Sequence, residues 1–293
     1  MRVTEGMRYQ QVSRQLDLAQ TQQAEGSRRA LTGRSINDPS DDPYGASQLV
    51  QIASRKARVL SQQDAVNKVR GDAELAEGVL DEAGELMARL HEIAVQGGSD
   101  ENDAGARSTM ADEVKGLKEQ LLKMANTKGS NGYLFSGSKV TTQAFDATGA
   151  FQGDDVAHSV DVGSGSPTRV NASGAKAFTA AGGRDIFADI DALSTALQNN
   201  DGVGIRATLD NLASGQTQIQ AERGQRGLLM GRLDTSEAAL DHANTLLTTE
   251  DDRVGGLPAT QAYSEYVNLN NALDRAISVS RQLLSLGTLN SQG

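Results

Sequence analysis

The chain has 293 residues, 38% hydrophobic and 23% charged, with a formal net charge of -10, 3% aromatics and no Cys or Trp. The lack of cysteine excludes a disulfide framework, a thiolate nucleophile and Cys-ligated zinc, and so few aromatics suit packed helices better than an enzyme's deep ligand pocket. No basic run offsets the acidic balance, so nucleic acid is not an expected partner.

Residues 1–10 lack the apolar middle of a signal peptide, and no stretch approaches the roughly 18 apolar residues of a membrane span. General secretory export and membrane insertion are therefore not expected. Val12, Leu16, Ala19 and Gln23 then recur at helical spacing, giving an amphipathic helix whose apolar stripe has no evident core to cover. The loop from Gly33 to Ala46 stops that helix with its prolines and its Asn/Asp/Ser cluster. Asp42-Pro43 within it reads as an N-cap followed by Pro at the first helical position. From Ile52 an apolar or small residue recurs every seven positions, at Val59, Val66, Ala73, Leu80, Met87 and Ala94, with an offset row at Gln62, Val69, Ala76, Ala83 and Leu90. This a/d pattern predicts one helix from about Tyr44 to Gln96, roughly 80 Å long, and hence a rod.

The stretch from Gly97 to Gly105 predicts a turn, and Met110, Val114, Leu117, Leu121, Met124 and Lys128 predict a second helix packed antiparallel on the first. Between about Asn131 and Gly183 the pattern changes to Gly, Thr, Val and Ser. Residues 143–152 predict a hairpin, and 158–162 a strand. The run Gly163-Ser164-Gly165-Ser166-Pro167 has flexible-linker chemistry, but the alternating segments around it favour a small β-rich insertion. Helix resumes near Asp185, and heptads run from Ile205 through Leu212, Ile219, Met230 and Leu240 to Leu247. Gly224 and Gly227 within this run each cost of order 1 kcal/mol, so a close helix contact or a helix break is expected there. A turn at Gly255, Gly256 and Pro258 leads to a last amphipathic helix carrying Tyr263, Tyr266, Asn270, Leu273, Ile277, Ser280 and Leu284. The two terminal helices want a partner: each other or a neighbouring subunit.

The fold class expected is mainly α with a small β-rich insertion: an elongated antiparallel helical rod, paired terminal helices and an outer β domain. No catalytic constellation emerges. His91, His158 and His242 fall in separate elements outside any H-E-x-x-H frame. The calcium-loop-like run from Asp100 to Gly105 has Ala104 and Ala111 at ligand positions, and Ser136 lacks the G-x-S-x-G frame. No cofactor, metal or enzyme activity is expected.

The loop Asn37-Asp38-Pro39-Ser40-Asp41-Asp42-Pro43, preceded by Leu31-Thr32-Gly33-Arg34, resembles the signature after the first helix of the flagellin family. In this form it is similar to the family's member at the junction of hook and filament. Three more stretches agree in order: Gly132-Tyr133-Leu134-Phe135-Ser136-Gly137 with Phe145; Arg223-Gly224-Gln225-Arg226-Gly227 with Arg232-Leu233; and Gln282-Leu283-Leu284-Ser285-Leu286. The polar run after Leu286, Gly287-Thr288-Leu289-Asn290-Ser291-Gln292-Gly293, departs from the pattern. The resemblance implies an extracellular structural subunit of the bacterial flagellum, exported through the flagellar type III apparatus. Its implied partners are copies of itself, the neighbouring hook-associated junction protein, flagellin and an export chaperone. A filament subunit is the alternative, and a cytoplasmic coiled-coil scaffold a more distant one. The expected division is 1–43 plus 258–293 as a terminal helical assembly domain, 44–136 plus 184–257 as a helical rod, and 137–183 as a β-rich outer domain.

The expected assembly interface is Val12, Leu16, Tyr266, Leu273, Ile277 and Leu284 on the terminal stripes, with Arg34, Asn37, Asp38, Pro39, Asp41 and Asp42 in the loop. Two further expectations follow from the placement of the apolar stripes. The ends, about 1–40 and 260–293, should be disordered in an isolated monomer, and residues 138–182 should be dispensable for assembly while the terminal helices are not.

Overall fold

A computed structural model describes the backbone of residues 5–161 and 167–290, and the side chains of these apart from 5, 6, 8 and 283–290. Seven α-helices span Glu5–Thr32 (α1), Pro43–Gly97 (α2), Ala104–Ala125 (α3), Gly174–Phe178 (α4), Ile186–Gln198 (α5), Gly202–Gly255 (α6) and Ala259–Asn290 (α7). Two small antiparallel strand pairs lie between α3 and α4: Lys128–Gly129 (β1) with Gly132–Tyr133 (β2), and Ser159–Asp161 (β3) with Pro167–Arg169 (β4). Of the expected 158–162 strand, Val162 lies outside the described residues. The fold is therefore mainly helical with a small β-bearing insertion. Two compact units make up the chain, residues 1–59 with 243–293 and residues 60–242.

In the first unit α1 and α7 pack on each other. The two terminal stripes partly cover one another within a single chain.

In the second unit the heptad row of α2 faces inward. Val66, Ala73, Leu80, Met87 and Ala94 are all buried, as are Ala76, Ala83 and Leu90 of the offset row. Facing them across the core are Ile205, Leu212, Ile219 and Leu233 of α6. Ion pairs flank the contact: Arg223 reaches Glu77 at 2.6 Å and Asp81 at 2.5 Å, and Arg70 reaches Asp234 at 2.8 Å and Glu237 at 2.7 Å. Gly224 and Gly227 neither break α6 nor meet a close neighbour, since nothing lies within 4 Å of where a Cβ would stand. Their cost falls on a helix already held by the core on either side.

Caps set the other helix boundaries. Asp103 caps α3 by accepting the Ala106 amide at 2.7 Å, and Asp185 caps α5 by accepting that of Ala188 at 3.1 Å. The end of α2 is closed by a long-range clamp. Buried Arg107 donates from Nε to the Gly97 carbonyl at 2.9 Å, from Nη2 to the Ser99 carbonyl at 2.9 Å and from Nη1 to the Asn200 side chain at 2.5 Å. A cation here satisfies carbonyls that the helix ends leave open and sits favourably at the negative end of the α2 dipole. Replacement of Arg107 by Ala should cost about 3 kcal/mol in urea unfolding of the full chain, because buried acceptors lose a charged donor.

The insertion is not separable from the helices. Phe145 and Phe178 are fully buried in the same cluster as Leu90 of α2, Leu121 of α3 and Leu193 of α5. The Phe145 ring lies 5.2 Å from that of Phe187 and 5.6 Å from that of Phe178, which meets Phe135 edge-on at 5.5 Å. Excision of residues 138–182 would strip Phe145, Phe151 and Phe178 from the core, so the segment shares the core of the helices. The expected hairpin at 143–152 is a turn closed by one bridge, Phe145 to Phe151, and held by the Asp146 carboxylate, which accepts the amides of Thr148 and Ala150. Gln218 of α6 ties down the far side: its Nε2 donates to the carbonyls of Ala177, Thr179 and Arg184, and its Oε1 accepts the Arg184 amide.

Candidate assembly interface

α1 and α7 run antiparallel, as the order of their cross-contacts shows. Gln23 donates to Asn270 at 3.0 Å, Arg29 lies 3.7 Å from Glu265, and Gly26 packs under Leu269. A Cβ at Gly26 would stand 2.2 Å from Leu269 Cδ1, so glycine sets how closely the helices approach. Along this seam Val12 and Leu16 of α1, and Tyr266, Leu273 and Ile277 of α7, are half-buried. Two helices alone cover only one side of each apolar stripe, and the rest faces outward. The Leu284 side chain lies outside the described residues.

The loop after α1 is bound to the stretch between α6 and α7. Gly33, at φ +65°, ends α1 in the left-handed conformation that glycine tolerates, its amide donating to the Arg29 carbonyl at 3.0 Å. Arg34 then forms an antiparallel bridge with Gly256. In this bridge the Ser35 amide donates to the Gly255 carbonyl, and the Leu257 amide to the Gly33 carbonyl, both at 2.9 Å. Arg34 also reaches Asp251 near the end of α6 at 2.9 Å.

The acidic half of the loop is a self-contained turn. The Asp41 carboxylate accepts the amides of Asn37 at 2.9 Å and Asp38 at 3.0 Å, while Asn37 Nδ2 donates to the Arg34 carbonyl at 3.0 Å. These amide bonds, from Asp38 and then Asn37, hold the Asp41 carboxyl below its ordinary pKa. Arg28 of α1 pairs with Asp38 and stands 3.7 Å from Asp41. Asp42 caps α2, accepting the Tyr44 amide at 3.0 Å, and Pro43 is the first helical residue. Gly45 allows the loop to close on the helix, because a Cβ there would stand 2.4 Å from Ile36 Cδ1 and 2.5 Å from Asp42 Oδ2.

The structure thus joins the loop residues Arg34, Asn37, Asp38, Asp41 and Asp42 in one clamp, and the stripe residues in one helix pair. Pro39 is exposed on the loop. Sequence reasoning missed Arg28, Ser35, Gly26 and Leu269, whose roles depend on contacts with distant or neighbouring elements. It also missed exposed apolar side chains of these helices, among them Tyr9 (61%), Leu18 (62%), Leu31 (85%) and Val279 (53%). Their signal was present as apolar residues lying off the stripe.

Residues 3–140, which take in α1, the clamp loop, α2, α3 and the first strand pair, match the bacterial flagellin N-terminal helical region. That stretch is thus similar to the flagellin N-terminal region, and further relatives narrow the likeness. Flagellar hook-associated protein 3 of Salmonella typhimurium is 29% identical over 184 residues, 61% of this chain and 57% of that protein. The Escherichia coli protein of the same name is 32% identical over 150 residues, 50% of this chain and 46% of that one. The chain spans about half the length of these curated relatives. Flagellin C of Vibrio cholerae is 26% identical over 83% of this chain and 63% of its own length.

Solved structures agree in fold. The flagellar junction protein FlgL from Legionella pneumophila matches with a TM-score of 0.58 at 18% identity, over 71% of this chain and 99% of that one. FlgL of Bacillus cereus matches with 0.58 at 19% identity, over 69% and 99%.

Proposed function

We propose that this chain is a structural protein of the bacterial flagellum that forms the junction between hook and filament. Copies pack through the α1–α7 pair and the clamp loop. The supporting observation is a helix pair whose apolar stripes are half-buried in one chain and flanked by exposed Tyr, Leu and Val, in a chain whose relatives include hook-associated protein 3. Burial of a Leu or Ile contributes roughly 1.5–3 kcal/mol, so the uncovered halves of these stripes drive association with further copies. On this reading the neighbours are another hook-associated junction protein and flagellin. The subunit is exported through the flagellar type III apparatus in the care of a chaperone and works outside the cell. Residues 1–43 with 258–293 form the assembly domain, 44–136 with 184–257 the rod, and 137–183 the outer domain.

A strain lacking this chain is expected to retain hooks while releasing monomeric flagellin into the medium. A strain that keeps hooks and filaments, and stays motile, would refute the junction role. The broader sequence match to flagellin C favours a second reading, as a filament subunit. That reading predicts loss of filament protein itself.

The clamp makes a finer prediction. Joint replacement of Asp41 and Asp42 by Ala removes the turn's acceptor and the cap of α2 together, leaving the helix stripes intact. Filament attachment should fall sharply while the variant still reaches the medium. Normal motility of the double variant would reduce the loop to a connector.

A further inference from the structure

We propose that the cleft between α6 and the β4–α4 segment binds an oxyanion, a carboxylate or a phosphate group. The cleft encloses about 400 Å³, within the range of roughly 300–1,000 Å³ typical of small-ligand sites. Its wall carries four cationic side chains, Arg169, Lys176, Arg226 and Arg232, against one carboxylate, Glu222. This is a local concentration of positive charge on a chain whose net charge is -10.

The carboxylates nearby are already engaged. Glu222 accepts the Ser173 amide at 3.0 Å and lies 3.6 Å from Arg226 Nη2, and Asp155 holds Arg169 at 2.7 Å. Among the described residues Lys176 and Arg232 make no ion pair, and both are exposed.

Two cleft arginines, Arg226 and Arg169, each keep an Nε without an acceptor, and Arg226 is the more deeply buried. It is 4% exposed, its Nη1 donates to the Val170 carbonyl at 3.0 Å, and its Nε has no acceptor. A buried guanidinium with an idle donor is costly unless further negative charge faces it. Burial pushes its pKa down, Glu222 opposes this in part, and Arg169 pushes it further down. An oxyanion in the cleft would offset both the burial and the repulsion between the two arginines, and guanidinium groups take carboxylate or phosphate oxygens in paired bonds. A purely structural Arg226, tethering β4 to α6 through Val170, predicts no ligand.

Calorimetric titration of the full chain with inorganic phosphate, and separately with citrate, tests the site, with sodium chloride at matched ionic strength as the control. Saturable binding that weakens with added salt is expected. Lys176→Ala with Arg232→Ala, at exposed positions without ion pairs, should keep the melting temperature and lower affinity about tenfold or more. Arg226→Gln should abolish binding. Binding of phosphate alone assigns a phosphate ligand, and of citrate alone a carboxylate ligand; either supports an oxyanion site. Absence of saturable heat with both anions, or a Lys176/Arg232 double variant that binds as tightly as the wild type, would overturn it. Neither outcome bears on flagellar assembly, which the deletion strain tests separately.

Discussion

Cells whose only copy of this chain carries Leu273→Asp and Ile277→Asp are expected to lose attached filaments. Both side chains are half-buried on the face of α7 that meets α1. Each half-buried side chain forfeits about half of the roughly 1.5–3 kcal/mol that full apolar burial contributes, and each new carboxylate must be taken out of water to keep the helix contact. The loss strikes twice, because the same stripe that joins α7 to α1 has its uncovered side available to the next subunit. Electron microscopy should show hooks without filaments, with flagellin in the medium. The second compact unit should be untouched, so urea unfolding of the purified variant should retain the main transition of the wild type. Leu273→Met with Ile277→Leu keeps the apolar volume and should swim. If the Asp variant swims, the terminal helices are not the assembly surface.

Phe145→Ala should have the largest effect on stability. The ring is fully buried and contacts those of Phe151, Phe178 and Phe187. Removal of a buried phenyl ring costs about 3–5 kcal/mol, and part of that is the cavity left behind. Aromatic pairs add about 0.5–1.5 kcal/mol beyond area alone. The backbone at this position is pinned independently, since Asn126 both donates to the Phe145 carbonyl and accepts its amide, each at 2.9 Å. The substitution therefore empties the core without freeing the loop. Thermal unfolding should fall by many degrees. Hydrogen exchange should quicken in α3, α5 and residues 143–152 together. A small shift confined to the loop would show that the insertion is an appendage after all.

Long helices were legible in the sequence because their evidence is local and repeated. The expected helix from about Tyr44 to Gln96 is found as Pro43–Gly97, with Asp42 capping and Pro43 leading. The heptad row that predicted it is buried at Ile52, Val66, Ala73, Leu80, Met87 and Ala94. The loop chemistry of residues 37–43 was legible for the same reason: Asn, Asp and Pro act on their own neighbours.

What remained hidden depends on partners far away in the chain. Nothing near Arg107 announces that its side chain closes the end of α2 and reaches Asn200, and nothing near Gly26 announces Leu269. The way the insertion packs was hidden because Gly, Ser and Thr dominate its composition. Its few phenylalanines, which decide where it packs, carry no period of their own. Gly224 and Gly227 carry their propensity cost without the expected break or close contact, because a long helix with core contacts on both sides absorbs it.

Immunogold labelling of intact flagella with antibody to this chain locates it in the assembly. Label is expected in a narrow band where the hook meets the filament. Label spread along the filament, or none on flagella at all, would contradict the junction role.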